Sequence, residues 1–271
     1  MNRSESRYLD VHGKRAVVMG GGGSGRAAAL LLASRGACVR LLDRNRDAVD
    51  RSWAELAGRA GVDIRLGEHR GDDFQGCDLV VMSPGIPVRK VAHLFPAKAM
   101  VLSELELAWR LCDVPALAVT GTNGKTTTVT LCKAILEAAG KEVFLGGNIG
   151  TPLSDFVRNG ERADVLVLEV SSFQLQTSPA FAPEAAVLLN LTPDHLDYHA
   201  DMDEYLDAKW SMFRHQQQGG LAVLPDHMRE QLAGRLNPAT DVEWYAPSGR
   251  IQAPRLPGAH NQANLEAAAG G

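Results

Sequence analysis

The chain has 271 residues, 45% hydrophobic and 22% charged, a globular composition with room for two domains, or one and a large part of a second. Its net charge of −4 argues against a polyanion-coating surface, so no nucleic-acid partner is expected. No apolar run is long enough to span a membrane, so no membrane partner is expected, and the polar start Met1–Asp10 does not read as a signal peptide.

Ala16–Met19 predicts a buried parallel strand. The run Gly20-Gly21-Gly22-Gly23-Ser24-Gly25 follows, and then a helical stretch from Arg26 to Arg35. Gly20, Gly22 and Gly25 satisfy the G-x-G-x-x-G spacing. The second strand, Cys38–Leu42, ends at Asp43, where a Rossmann unit places the acid that holds a ribose. That signature alone is compatible with NAD, FAD, a nucleotide sugar or no ligand. Asp78–Met82 predicts another strand, running into Ser83-Pro84-Gly85. Open α/β sheets bind ligands at such strand ends, although a plain turn accounts for these residues equally well. Ser103 is placed to cap a helix over Glu104–Leu111, and Asp113-Val114-Pro115 reads as a linker. The expected division is a Rossmann-like domain over 1–112 and a second α/β domain over 113–271.

The second domain opens with the strand Ala116–Val119, the turn Thr120-Gly121-Thr122-Asn123-Gly124-Lys125-Thr126-Thr127 and a helical run over Thr128–Leu136. Strand, glycine-rich turn and helix, in that order, form the context of a phosphate-binding loop. The glycines let backbone N–H groups approach an anion, and the helix N-terminus adds a favourable dipole. Lys125 can reach terminal phosphates, and the Thr126 hydroxyl is placed for Mg²⁺. Val119 stands where the general Walker pattern has a glycine, so the loop is expected to be tighter. A ligand-free turn is the bland alternative, and the specific Gly-Lys-Thr arrangement argues against it.

Gly146-Gly147-Asn148-Ile149-Gly150 follows the strand Glu142–Leu145 and opens backbone to a ligand. The strand Asp164–Leu168 ends in Glu169, which reads as a Mg²⁺ ligand or else as an exposed strand-end acid. The strand Ala185–Leu189 runs into Asn190-Leu191-Thr192-Pro193-Asp194-His195-Leu196-Asp197, where His195 suits a metal or a phosphate, or a structural role. Lys209, on the helix-like stretch Met202–Gln216, reads from sequence physics as a solvated lysine. Asn261–Ala269 reads as the start of a helix in which the chain stops, so a longer parent protein is expected. The cysteines Cys38, Cys77, Cys112 and Cys132 lack metal-ligand spacing, which fits reduced thiols in a cytoplasmic protein. A dehydrogenase needs only the first glycine loop and a simple ATPase only the second. The pair points to an enzyme that holds a nucleotide-tagged substrate and uses ATP on it.

Taken together, these residues resemble the Mur ligase family of bacterial cell-wall synthesis. Gly121–Thr127 match its tight G-T-x-G-K-[ST]-[ST] loop. Leu168-Glu169-Val170-Ser171-Ser172-Phe173-Gln174-Leu175, Gly146–Gly150 and Asn190–Asp197 are similar to the D-glutamate-adding branch, and the resemblance runs over essentially the whole chain. It implies an ATP-dependent amide ligase that converts the carboxylate of UDP-N-acetylmuramoyl-L-alanine to an acyl phosphate, which D-glutamate then attacks. It implies a Rossmann-like domain that binds the UDP substrate through Gly23 and Ser24, with Asp43, Ser83, Pro84 and Gly85 nearby. Asn148 and His195 would contact the sugar–peptide part or its metal. ATP would be held by Gly121, Thr122, Asn123, Gly124, Lys125, Thr126 and Thr127, with Asn261 and Asn264 near the adenine through Pro257–Asn264. Thr126 and Glu169 would serve one Mg²⁺, and His195 with a carbamylated Lys209 a second. Lys125, His195 and Lys209 are the expected catalytic residues, and a monomer is expected.

Two departures bear on this resemblance. Arg44 and Asn45 do not reproduce the Thr-Arg pair that some members carry after the acid. The family's third, C-terminal domain is expected to lie outside these 271 residues, so the isolated chain is expected to have little or no ligase activity. Another ligase of the superfamily is the nearest alternative. The alanine-adding branch usually carries His at Asn123, the diaminopimelate- or lysine-adding branch reads Ser-Ser-His where Phe173 stands, and folylpolyglutamate synthase lacks a preceding Rossmann domain. An NAD-dependent oxidoreductase and a non-catalytic nucleotide-binding module are the alternatives from other classes.

Overall fold

The structure, a computed structural model, describes residues 8–196, 198–246 and 259–270. Its chain forms two compact units, one running to Asp113 and including Pro152–Glu161, the other taking Val114–Thr151 and Arg162–Gly271.

The first unit begins with β1 (Arg15–Met19), α1 (Gly23–Ser34), β2 (Cys38–Asp43), α2 (Arg51–Arg59) and β3 (Asp63–Leu66). It continues with β4 (Leu79–Met82), β5 (Met100–Ser103) and α3 (Glu104–Arg110). The strands form one parallel sheet in the order β3-β2-β1-β4-β5. Near-continuous apolar strands are what a parallel sheet covered on both faces requires. Val17, Met19, Leu42, Phe74, Val80 and Met82 form a core cluster of this unit. The strand order reverses between β1 and β4, and a doubly wound sheet has its crevice at such a switch point.

Helix α1 starts three residues before the expected Arg26, because Gly22 adopts an extended conformation and Arg26 N–H already donates to Gly22 O at 2.9 Å. The end of the glycine run is therefore the helix's first turn. A Cβ at Gly25 would lie 1.9 Å from Gly20 O, so only glycine lets this turn press against the exit of β1. Ser103 caps α3 as expected, its Oγ accepting Glu106 N–H at 3.0 Å.

The second unit opens with β6 (Ala116–Thr120), α4 (Lys125–Ala138) and β7 (Val143–Gly147). The chain then forms α5 (Leu153–Asn159), which groups with the first unit although the sequence placed it in the second domain. Leu153, Phe156 and Val157 of α5 are buried, and Ser154 N–H donates to Glu104 Oε1 at 2.6 Å. The second unit resumes with β8 (Val165–Glu169), α6 (Ser172–Gln176), β9 (Ala185–Leu188) and α7 (Met202–Arg214). It ends with β10 (Leu221–Pro225), β11 (Asp241–Tyr245) and α8 (Ala259–Gly270).

These six strands are all parallel, in the order β11-β10-β9-β6-β8-β7. Strand β6 is thus central, flanked by β9 and β8, and the loops after β6, β7, β8 and β9 leave from one edge of the sheet. Val119, Val129, Cys132, Val167, Val187, Val223 and Ala267 belong to its core, which joins the sheet to α4 and α8. Among the described residues no helix is long and apolar enough to cross a membrane.

Candidate functional site

In the first unit, the glycine run and β2 enclose a hollow of about 440 Å³ lined by Gly21, Gly22, Gly23, Arg26, Asp43 and Asn45, among others. Asp43 holds this loop directly, with Oδ2 accepting Gly21 N–H at 2.6 Å and Oδ1 accepting Asn45 N–H at 2.8 Å. Arg26, which the sequence reading did not single out, donates to Gly21 O at 2.8 Å and Ala48 O at 2.7 Å, and pairs with Asp50 at 3.0 Å. It ties the glycine loop to the loop after β2. Ser83 follows β4 across the switch point and stands against the glycine run: a Cβ on Gly20 would come within 2.4 Å of its Oγ. Ser83 Oγ is buried with no hydrogen-bond partner among the described residues. Ser24, Ser83, Pro84 and Gly85 do not line the hollow, whereas Gly23 and Asp43 do.

In the second unit, Gly124 has φ +88° and caps α4, so Lys125 is the helix's first residue. The first helical bond runs from Thr128 N–H to Gly124 O at 3.0 Å, leaving the amides of Lys125, Thr126 and Thr127 at the open N-terminus. A hollow of about 280 Å³ is lined by Thr122–Thr127, Asn148 and Glu169. Three of the sequence-predicted residues converge here. Thr126 Oγ1 donates to Glu169 Oε2 at 2.6 Å, and Asn148 Nδ2 donates to Glu169 Oε1 at 2.9 Å. Glu169 is only 2% exposed, so it is not a solvated strand-end acid. Lys125 folds back over its own loop, its Nζ donating to Gly121 O at 2.9 Å and Thr122 O at 2.8 Å. Burial holds its pKa below the ordinary lysine value, against the opposing pull of Glu169 and Asp194.

Lys209 corrects the bland reading of a solvated lysine, because it is 2% exposed. Its Nζ donates to Gly121 O at 3.0 Å and lies 4.4 Å from the centre of the Tyr205 ring. Its pKa is lowered to about 7, first by burial and then by the charge of Lys125, with Asp194 opposing. Tyr205 also reaches the phosphate loop, its hydroxyl lying 3.2 Å from Thr122 Oγ1. The spacing of Tyr205 and Lys209, four residues apart, was a signal that the two share a helix face.

His195 lies in the loop after β9 and is the one non-glycine residue with positive φ, at 55°, among the described residues. Such a conformation is uncommon outside glycine and recurs at functional sites. Its ring packs on Phe173 at 4.7 Å and faces Tyr205 edge-on at 6.3 Å. His195 and Lys209 therefore stand around one tyrosine ring. Beneath them the sequence reading missed His199, fully buried, whose Nε2 lies 2.9 Å from Ser172 Oγ. His199 stacks on Phe173 at 5.9 Å and contacts Tyr205 at 5.2 Å, joining the rings that support His195 and Lys209. It lies beyond the strand-exit run Asn190–Asp197 that marked His195, so no motif pointed to it.

Asn264, on α8, is 5% exposed and packs on the loop, since a Cβ at Gly124 would sit 2.3 Å from its Oδ1. Asn261 is half-buried one turn earlier. Asp197, Pro257 and Gly258, and the side chain of His260, lie outside the described residues. No group of three or more His, Cys, Asp or Glu able to hold a metal occurs among the described residues.

Two parallel α/β units, the first with a glycine loop at its switch point and the second with a strand–loop–helix whose lysine and threonine meet a strand-end glutamate, define a P-loop-type protein joined to a Rossmann-type unit. Residues 14–101 match the model of the Mur ligase MurD-like N-terminal domain, and residues 119–246 that of the Mur ligase middle domain. The chain belongs to the Mur ligase family. It is 51% identical over 273 residues to the UDP-N-acetylmuramoylalanine–D-glutamate ligase of Desulfovibrio desulfuricans, covering 99% of this chain and 62% of that protein. It is 52% identical over 262 residues to the enzyme of the same name from Oleidesulfovibrio alaskensis, covering 94% of this chain and 58% of that protein. The chain thus spans about three fifths of the length of these relatives. A crystal structure of the UDP-N-acetylmuramate:L-alanyl-gamma-D-glutamyl-meso-diaminopimelate ligase from Neisseria meningitides shares the fold, with TM-score 0.60, 20% identity and coverage of 94% of this chain and 91% of that one.

Proposed function

We propose that the whole protein joins D-glutamate to UDP-N-acetylmuramoyl-L-alanine, with ATP converted to ADP and phosphate, in peptidoglycan synthesis. The observation that carries this reading is the meeting of Thr126, Asn148 and Glu169 beside the Lys125 loop, in a chain about half identical to relatives bearing that name.

The substrate carboxylate attacks the γ-phosphorus of ATP, and ADP leaves. The amine of D-glutamate then attacks the acyl phosphate carbon, phosphate leaves, and the amine loses a proton. The first step brings anions together, so it needs cationic and dipolar groups aimed at the transferring phosphoryl group. Lys125, now folded on Gly121 O and Thr122 O, would exchange those carbonyls for phosphate oxygens. The open amides of Lys125, Thr126 and Thr127 would cradle the phosphates. The Thr126 hydroxyl and the Glu169 carboxylate are hard oxygen donors already side by side, which fits Mg²⁺. When bound, Mg²⁺ supplies charge neutralisation of the polyphosphate. Asn148 would hold Glu169 in place from its other oxygen.

A second Mg²⁺ at His195 would need an oxygen donor that an amine does not provide. Burial that holds the Lys209 amine near neutrality supports its uptake of CO₂ as a carbamate, with release of a proton. In the first unit, the hollow at Gly23 and Asp43 would take the UDP moiety, and Ser83 would donate its unengaged hydroxyl nearby.

The test is phosphate release by the whole protein. It is expected to require UDP-N-acetylmuramoyl-L-alanine and D-glutamate together, with L-glutamate inert. Release that depends on another amino acid would assign a different branch of the family, and binding of NADH by the 271-residue chain in place of the UDP substrate would overturn the reading.

A further inference from the structure

The phosphate loop is held from outside by one side chain that the mechanism above does not use. Strand β9 pairs with β6 up to Thr120, and Leu189 N–H extends the ladder by donating to Thr120 O at 3.0 Å. Beyond this point the pairing leaves the regular ladder, Thr122 N–H donating to Asn190 O at 3.1 Å, and the Asn190 side-chain amide adds to it. Its Oδ1 accepts Asn123 N–H at 2.9 Å and Thr122 N–H at 3.2 Å, while its Nδ2 donates to Asn123 O at 3.0 Å. It therefore accepts from and donates to the Asn123 backbone, as a neighbouring strand residue would. Thr122 completes the joint from the other side: Thr192 N–H donates to its Oγ1 at 3.0 Å, and that hydroxyl lies 3.2 Å from Thr192 O.

We propose that Asn190 is a positioning residue that sets the register of the phosphate loop. A run of backbone N–H groups with a common concave face binds an anion wherever it is open. The Asn190 carbonyl oxygen occupies the first two of these donors, at Thr122 and Asn123. A polyphosphate then meets the amides of Lys125, Thr126 and Thr127, beside the Thr126 hydroxyl and Glu169. The same residue opens the segment that carries Asp194 and His195, so loop and histidine are registered to one another through it. The inference rests on the nucleotide reading above for its ligand, and on the hydrogen bonds alone for the clamp.

The test uses Asn190→Ala and Asn190→Asp in the 271-residue chain, with amide hydrogen exchange read by NMR and titration with ATP and with adenosine. Thr122 N–H retains a second acceptor, Asn190 O at 3.1 Å, so the Asn123 amide is the reporter. Asn190→Ala is expected to speed Asn123 exchange and weaken ATP binding by about tenfold each, leaving adenosine binding and the melting temperature nearly unchanged. Asn190→Asp keeps the acceptor and is expected to restore Asn123 protection, a rescue that a general packing role would not produce. Unchanged Asn123 exchange in Asn190→Ala overturns the clamp, and faster exchange with unchanged ATP affinity overturns the register claim. A wild-type chain that takes up no ATP overturns the nucleotide reading, and the exchange comparison still decides the clamp.

Discussion

The Thr126 hydroxyl donates to Glu169 Oε2 at 2.6 Å, joining the first turn of α4 to the end of β8. The two residues are far apart in sequence, and adjacent parallel strands bring them together. Glu169→Gln keeps the size and one acceptor but removes the charge that would face Mg²⁺. ATP affinity measured by calorimetry is expected to rise with Mg²⁺ in the wild type. In the variant that dependence is expected to vanish, with a loss of roughly tenfold to a hundredfold at saturating Mg²⁺. An unchanged Mg²⁺ dependence would remove Glu169 from the metal site.

Lys125 and Lys209 share one acceptor, Gly121 O, at 2.9 and 3.0 Å. The charge of Lys125 is the second cause, after burial, of the lowered Lys209 pKa. Lys125→Ala is therefore expected to raise the Lys209 pKa from about 7, though not to the ordinary value, because burial remains. Competitive labelling of amines across a pH series would follow this. The linkage has a definite sign. Between about 7 and lysine's ordinary 10.5 the unfolded chain binds the proton and the folded chain does not, so stability rises with pH over that window. Lys209→Met is expected to flatten the rise in denaturant titrations.

Glu104 is fully buried, and its pKa is raised to about 7, first by burial and slightly by Asp155, while Ser154 opposes. Its Oε2 has no hydrogen-bond partner among the described residues. From 4.5 to about 7 the folded chain holds the proton that the unfolded chain has released, so stability falls as pH rises through that window and levels off above it. The cost above the window is on the order of 3 kcal/mol. Glu104→Gln retains an acceptor for Ser154 N–H and carries no charge. Urea titrations at both ends of the window are expected to show the variant more stable than wild type at high pH and close to it at low pH.

Gly25→Ala is expected to damage the first unit selectively. The added methyl would meet Gly20 O at 1.9 Å, and that carbonyl belongs to backbone rather than to a side chain that could swing aside. A loss of about 3 kcal/mol or more follows from overpacking of this kind. Limited proteolysis should then cut within residues 8–113 first. Even susceptibility across both units would mean that the helix had shifted at little cost.

Much of this was legible in the sequence because it is local. The strand–loop–helix around Lys125, the glycine run before α1, the strands ending at Asp43, Glu169 and Leu188, and the Ser103 cap all follow from apolar runs and turn chemistry within a few residues. The elements that went unread are β3, β5, β10, β11, α2, α5 and the five-residue α6; most are short or carry mixed polarity, whereas β10 is a short apolar run that by itself fits a strand or a buried helix equally well. The grouping of α5 with the first unit does not follow from the sequence, because its apolar face does not state which core will receive it. That was decided by Glu104 and by the burial of Leu153, Phe156 and Val157.

By itself the sequence determined the two α/β units, their two glycine loops and the residue types at each strand end, because backbone conformation and apolar periodicity are properties of neighbouring residues. Tertiary structure alone decided which side chains face one another across elements: Thr126 and Asn148 on Glu169, Lys209 on Gly121, His199 against Phe173, and Asn190 on the phosphate loop. Those pairings depend on strand order and on the burial that follows from it. Burial, rather than residue type, is what turned a lysine that reads as solvated into an amine poised near neutrality.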